Sequence, residues 1–276
     1  MQRRVSWMTV GLILLVAASF GARLLRSRRP PSLRTPAPVM QGEPQLMLWA
    51  WETPEDLRAL DPTRAGIAYL SRELLLGAEP QVRLRRQALL LPPHVYRMAV
   101  VRIETAPEFK EDDAKVPGLT AEILKATDEP GVRALEIDFD ARASERPFYT
   151  ALLRAVRKDL RSDVPLSITA LTSWCGENSW LHGLPVQEAV PMFFRMGGPA
   201  ATRAGAARSF EGIRESLCTG SVGLATDEAW PSLDARQRMY VFHPGSWRAE
   251  DIALVNAGEY SKLQDAPLRS SQAPQD

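Results

Sequence analysis

The chain has 276 residues, of which 45% are hydrophobic and 24% charged, and a formal net charge of +1. That length and balance suit one large globular domain with a full core. The near-neutral charge, with basic residues clustered only near the N-terminus, removes the electrostatic case for DNA or RNA binding.

Residues 5–22 form an uncharged, mostly apolar stretch behind the basic start Met1-Gln2-Arg3-Arg4. A run of about 18 residues is close to the shortest helix that crosses a bilayer. Ala17-Ala18-Ser19 and Ser19-Phe20-Gly21 offer cleavage sites for a signal peptide. Arg23, Arg26, Arg28 and Arg29 follow at once and oppose transfer after cleavage. An uncleaved anchor over residues 1–22 is therefore expected, and a secreted protein if the segment is cleaved. Arginines on both flanks leave the positive-inside rule undecided. A basic stub followed by one hydrophobic run is the usual export layout, which places the domain in the periplasm or outside the cell.

Residues 23–44 are rich in Pro, Arg and Ser without apolar periodicity and read as a flexible stalk. Residues 265–276 read as a disordered tail. Between them, residues 45–264 carry no linker or repeat and are the size of a (β/α)8 barrel. Short apolar runs predict eight strands, at 45–51, 67–70, 98–103, 134–139, 166–171, 189–195, 221–225 and 239–242. The clearest helix follows the fourth, where Phe148, Leu152 and Val156 recur every four residues beside Tyr149, Leu153 and Leu160. Ser144 is its expected N-cap, and Pro147 fits the first turn.

Strands alternating with helices argue for a parallel sheet, and eight of them for an α/β TIM-like barrel behind one N-terminal transmembrane helix. An open doubly wound sheet is the alternative, but neither GxGxxG nor GxxxxGK[ST] occurs, so no nucleotide is expected. His94, His182 and His243 lack metal-ligand spacing, so neither a metal nor another cofactor is expected. No G-x-S-x-G elbow supports a serine hydrolase. In the barrel register Cys175 lies just past the top of the fifth strand and Cys218 just before the bottom of the seventh, a separation that predicts two unpaired cysteines.

The segment Ala134-Leu135-Glu136-Ile137-Asp138-Phe139-Asp140 carries the chemistry. Strand side chains alternate, so Leu135, Ile137 and Phe139 share one face and Glu136, Asp138 and Asp140 the other. On a half-exposed strand the acids would be a solvated face. In a barrel they point inward, where clustering and burial raise carboxyl pKa values, as a general acid requires. Barrel function gathers at strand C-terminal ends, which puts Asp138 and Asp140 at the active face and Glu136 deeper. Other strand ends supply Trp51 and Glu52, Trp174, Arg195, Asp227 and Glu228, and Trp247. Aromatic faces beside carboxylates suit sugar stacking and protonation of a glycosidic oxygen. Each tryptophan alone has packing as its alternative role, and Asp227 and Glu228 have helix capping as theirs.

This segment, with Phe148-Tyr149-Thr150-Ala151-Leu152-Leu153 behind it, resembles the fourth-strand signature DGxDxDxE of chitinase-like family 18 glycoside hydrolases. The resemblance implies Asp140 as the catalytic acid, Asp138 as the acid that orients an acetamido group, and Glu136 as the next acid back. Pro191-Met192-Phe193-Phe194-Arg195 is similar to that family's sixth-strand Met-x-Tyr-Asp. The chain departs from the pattern with Arg133, Ala134, the shorter acid Asp140, and Arg195 in place of an acid. The phrases Ile137-Asp138-Phe139-Asp140, Leu166-Ser167-Ile168-Thr169-Ala170-Leu171-Thr172-Ser173-Trp174-Cys175, Val190-Pro191-Met192-Phe193-Phe194-Arg195-Met196-Gly197 and Thr226-Asp227-Glu228 resemble the bacterial family called domain of unknown function 3142, which implies the fold and no particular reaction.

The leading expectation is a membrane-tethered, glycoside-hydrolase-like barrel acting on an envelope or extracellular polysaccharide. Asp140 would be its proton donor, Asp138 the orienting neighbour, and Glu228 or Asp227 the partner carboxylate across the mouth. Trp51, Trp174 and Trp247 would stack sugar. The alternative is a non-catalytic carbohydrate-binding barrel in an envelope assembly, in which Arg195 neutralises the acids or takes an anionic sugar. A third is a scaffold that binds another protein through the mouth.

Overall fold

The computed structural model describes residues 42–196 and 210–265. Eight strands form a ring: β1 (Leu46–Ala50), β2 (Gly66–Leu76), β3 (Arg97–Thr105), β4 (Val132–Asp138), β5 (Leu166–Leu171), β6 (Glu188–Met192), β7 (Ser221–Ala225) and β8 (Arg238–Phe242). Each runs parallel to its neighbours, and β1 closes the ring by pairing with both β2 and β8. All eight expected strands are present, at nearly the expected positions. The expected membrane segment, most of the stalk and nearly all of the tail lie outside the described residues. Among the described residues no helix is long and apolar enough to cross a membrane.

The outer layer is uneven. Two α-helices cover β4, α1 (Val116–Leu124) before it and α2 (Arg146–Asp159) after it, and α3 (Ala249–Ala257) follows β8. The α2 helix buries Phe148, Tyr149, Leu152, Leu153 and Val156, the stripe expected from the sequence. Ser144 is not its N-cap. It falls inside a 3-10 turn, Ala143–Glu145, which extends the helix start backwards, and the Glu145 carboxylate accepts the Arg142 N–H at 2.6 Å. Residues 172–187, between β5 and β6, contain a 3-10 turn and no α-helix.

The cysteine expectation is overturned: Cys175 and Cys218 form a disulfide with Cα atoms 5.9 Å apart. Strand ends misplace both residues, because each lies in the outer layer and not at the height of its strand's terminus. The chain turns outward after β5, so Cys175 is fully buried among outer-core side chains. The stretch leading into β7 crosses beside it, and the N–H groups of Arg214 and Glu215 donate to the Cys175 carbonyl at 2.7 and 3.0 Å.

Two cores are nested. The outer one holds Leu135, Ile137 and Phe139 under α2, and the inner one holds Met47, Trp49, Met98, Val100 and Tyr240 inside the ring. Buried charge at the base of the ring is paired, as a dry interior demands. Arg238 lies 3.0 Å from Glu43 and 3.2 Å from Glu188. Tyr240 donates to Glu188, and Tyr96 donates to Glu43 at 2.8 Å.

Candidate active site

A cleft of about 1210 Å³ opens at the C-terminal ends of the strands. Its floor is Trp49, whose ring lies inside the barrel because β7 passes it with a glycine. A Cβ on Gly223 would sit 3.0 Å from the indole. Trp49 is fixed by an N–H bond of 2.8 Å to Glu136 and by the ring of Tyr240, 5.4 Å away. Half-buried aromatic rings line the cleft above it: Trp51, Phe194 and Phe242, the last two stacked within 7° of parallel. On one side rises a hairpin, in which the extended end of β2 pairs antiparallel with Gln81–Leu84.

The acidic row of β4 faces inward as its alternation predicts, and its members sit in three different environments. Glu136 is wholly buried below the cleft and does not line it. Burial raises its carboxyl to about 8; the Trp49 bond opposes the rise, and Asp138 and Glu188 add to it. Asp138 lines the cleft with both oxygens occupied, one by the Arg102 guanidinium at 2.6 Å and one by the Thr169 hydroxyl at 2.7 Å. Asp140 stands exposed at the strand end. It is the cleft carboxyl without a hydrogen bond or ion pair among the described residues. The atoms packed around it, then the charges of Asp138 and Glu104, raise its pKa against the pull of Arg102.

The other expected site residues divide between cleft and wall. Trp51, Glu52 and Arg195 line the cleft. Glu52 also has a structural task, accepting the N–H groups of Arg86 and Gln87 at 2.9 and 3.2 Å. Glu228 and Asp227 do not line the cleft, because Arg195 holds them. Its Nη1 lies 2.8 Å from each carboxylate, and its backbone N–H donates to Glu228 at 2.9 Å. Arg195 adopts φ +56°, a left-handed conformation in which its Cβ crowds the backbone. The expected pairing of Asp140 with Glu228 across the mouth is therefore not assembled.

Trp174 and Trp247 are buried in the outer layer, away from the cleft. Trp174 packs edge-on against Trp180 at 5.1 Å, and the Trp247 indole donates to the Trp49 carbonyl at 2.9 Å. Among the described residues no group of three His, Cys, Asp or Glu side chains is placed to hold a metal ion.

Sequence reasoning passed over Arg102, Thr169, Phe194 and Phe242. Alternation would have found Arg102, the third inward residue of β3 after Met98 and Val100. Phe194 and Phe242 stand at or just beyond strand C-terminal ends, where tryptophans alone had been weighed.

Comparison with known proteins finds a family match over part of the chain. Residues 95–187 match the family described as domain of unknown function (DUF3142). The match runs from just before β3 to just before β6, so it takes in Arg102 and the whole acidic row, and it agrees with the resemblance read from the sequence. The phrases around Pro191 and Asp227 lie beyond the matched residues. No curated protein matches the chain. Among solved structures it is similar to the Bacillus cereus spore cortex-lytic enzyme SleL, with 17% sequence identity and a TM-score of 0.44 over 65% of this chain and 50% of that one. The chain thus spans about half the length of that structure.

Proposed function

We propose that this chain is a glycoside-hydrolase-like barrel that binds an envelope or extracellular polysaccharide in its mouth, with Asp140 as the proton donor. One observation carries the reading: an open cleft lined by Trp51, Phe194 and Phe242 contains Asp140, exposed, raised in pKa and without a hydrogen bond or ion pair among the described residues. A general acid needs that combination of access and retained proton. Asp138, held from both sides, is the orienting group. Export and an N-terminal tether belong to the same proposal, and a buried disulfide fits an oxidising compartment.

A second reading, binding without cleavage, is favoured by the capture of Glu228 and Asp227 by Arg195. Glycosidases ordinarily set two carboxylates across the scissile bond. The test is incubation with a panel of bacterial polysaccharides, comparing the unaltered chain with Asp140→Asn. Sugar release lost in the variant supports the acid role. Equal binding with no release from either protein selects the second reading, and absence of binding to any member of the panel rejects carbohydrate.

A further inference from the structure

Arg102 is the residue on which the cleft's parts converge. It lies on β3 directly opposite Asp138 of β4 in the strand register. Its Nη1 meets Asp138 at 2.6 Å, its Nε meets Glu104 at 2.9 Å, and its guanidinium carbon stands 5.8 Å from the centre of the Trp51 ring. Asp138 is buried, so its charge depends on that contact and on Thr169 from the opposite flank. Two residues further along the same face, Asp140 has neither kind of partner among the described residues.

We infer that Arg102 is a positioning residue, which pins Asp138 and Trp51 in place and leaves Asp140 as the cleft carboxyl that, among the described residues, is free to meet a ligand. The inference rests on the proposed acid role of Asp140. Its physical content is a division of labour between two acids on one face, one held by partners and one open to the cleft. With Arg102 present, the Asp138 carboxylate is held from two sides, by the guanidinium and by the Thr169 hydroxyl. Without it, Asp138 keeps only the Thr169 hydroxyl and is no longer told apart from Asp140 by a cation. From one side chain the cation meets two carboxylates and an aromatic face.

The test is a carbon-13 NMR titration of the Asp140 carboxyl in the full chain, read without any glycan. Removing the cation in Arg102→Met should move the Asp140 midpoint up. Arg102→Lys keeps the charge and so should keep the midpoint close to that of the unaltered chain. Asp138→Asn removes the group that Arg102 holds and should move the midpoint down. An Asp140 midpoint that stays in place in Asp138→Asn, or that lysine displaces as far as methionine does, overturns the inference. That outcome would leave glycan binding to be judged by the polysaccharide panel, and failure to bind any glycan would leave the titration result standing.

Discussion

The indole N–H of Trp49 meets the Glu136 carboxyl at 2.8 Å, joining β1 to β4 through the inside of the barrel. Because burial raises Glu136 to about 8 from an ordinary 4.5, the folded chain holds a proton there that the unfolded chain has released. Stability therefore falls as pH rises from about 4.5 to about 8 and levels off above that. Glu43, raised to about 7 first by burial, contributes in the same direction. Glu136→Gln keeps an acceptor for the indole and has no proton to lose. Its urea midpoint should drop less between pH 6 and pH 9 than that of the unaltered chain, and equal drops would sink the assignment. Glu136→Ala, which orphans the indole and leaves a void, should cost about 2–4 kcal/mol at pH 6.

Gly223 is needed for its lack of a side chain. A methyl group there would press on Trp49 at 3.0 and 3.3 Å. Gly223→Ala should destabilise the fold by about 1–3 kcal/mol and change the near-UV circular dichroism of the buried indole. An alanine variant with unchanged melting temperature and spectrum would show that the floor of the cleft is not held by this contact.

The disulfide makes a prediction that thiol counting checks. Folded, oxidised chain should show no reactive cysteine after denaturation without reductant. Replacing Cys175 and Cys218 together by alanine should cost about 2–4 kcal/mol, since the bridge closes a span of 43 residues. Two titratable thiols in protein recovered from an oxidising compartment would contradict the pairing.

Arg195 combines a favourable ion pair with an unfavourable backbone. Its side chain is half exposed, so the pairs with Asp227 and Glu228 should contribute only about 1 kcal/mol. Arg195→Ala loses that contribution and keeps the left-handed φ. Arg195→Gly loses the pairs but relieves the backbone, and should be about 1 kcal/mol more stable than the alanine variant. Chemical denaturation of the two proteins side by side measures the difference. The reverse order would mean that the conformation carries no strain.

The barrel was legible because its signal is local. Each strand is a short apolar run, two of the eight have the expected boundaries, and alternation alone oriented the β4 acids. What the sequence hid depended on the second layer. Trp174 and Trp247 follow strand ends as Trp51 does, but whether a residue past a strand turns over the mouth or down the outside is decided by the connection. The same ambiguity concealed the disulfide. The capture of Glu228 was hidden for an electrostatic reason: Arg195 and the Asp227-Glu228 pair are distant in sequence, and nothing in either phrase announces that they meet.

The ion pairs at the base of the barrel bear on mechanics. Glu43 precedes β1 and is locked to Arg238 and Tyr96, at the end opposite the cleft. Tension applied to the chain ahead of β1 would reach the domain there and run along a strand hydrogen-bonded on both flanks. That strand would be loaded in shear, with its ladder bonds sharing the force, instead of peeling one bond at a time.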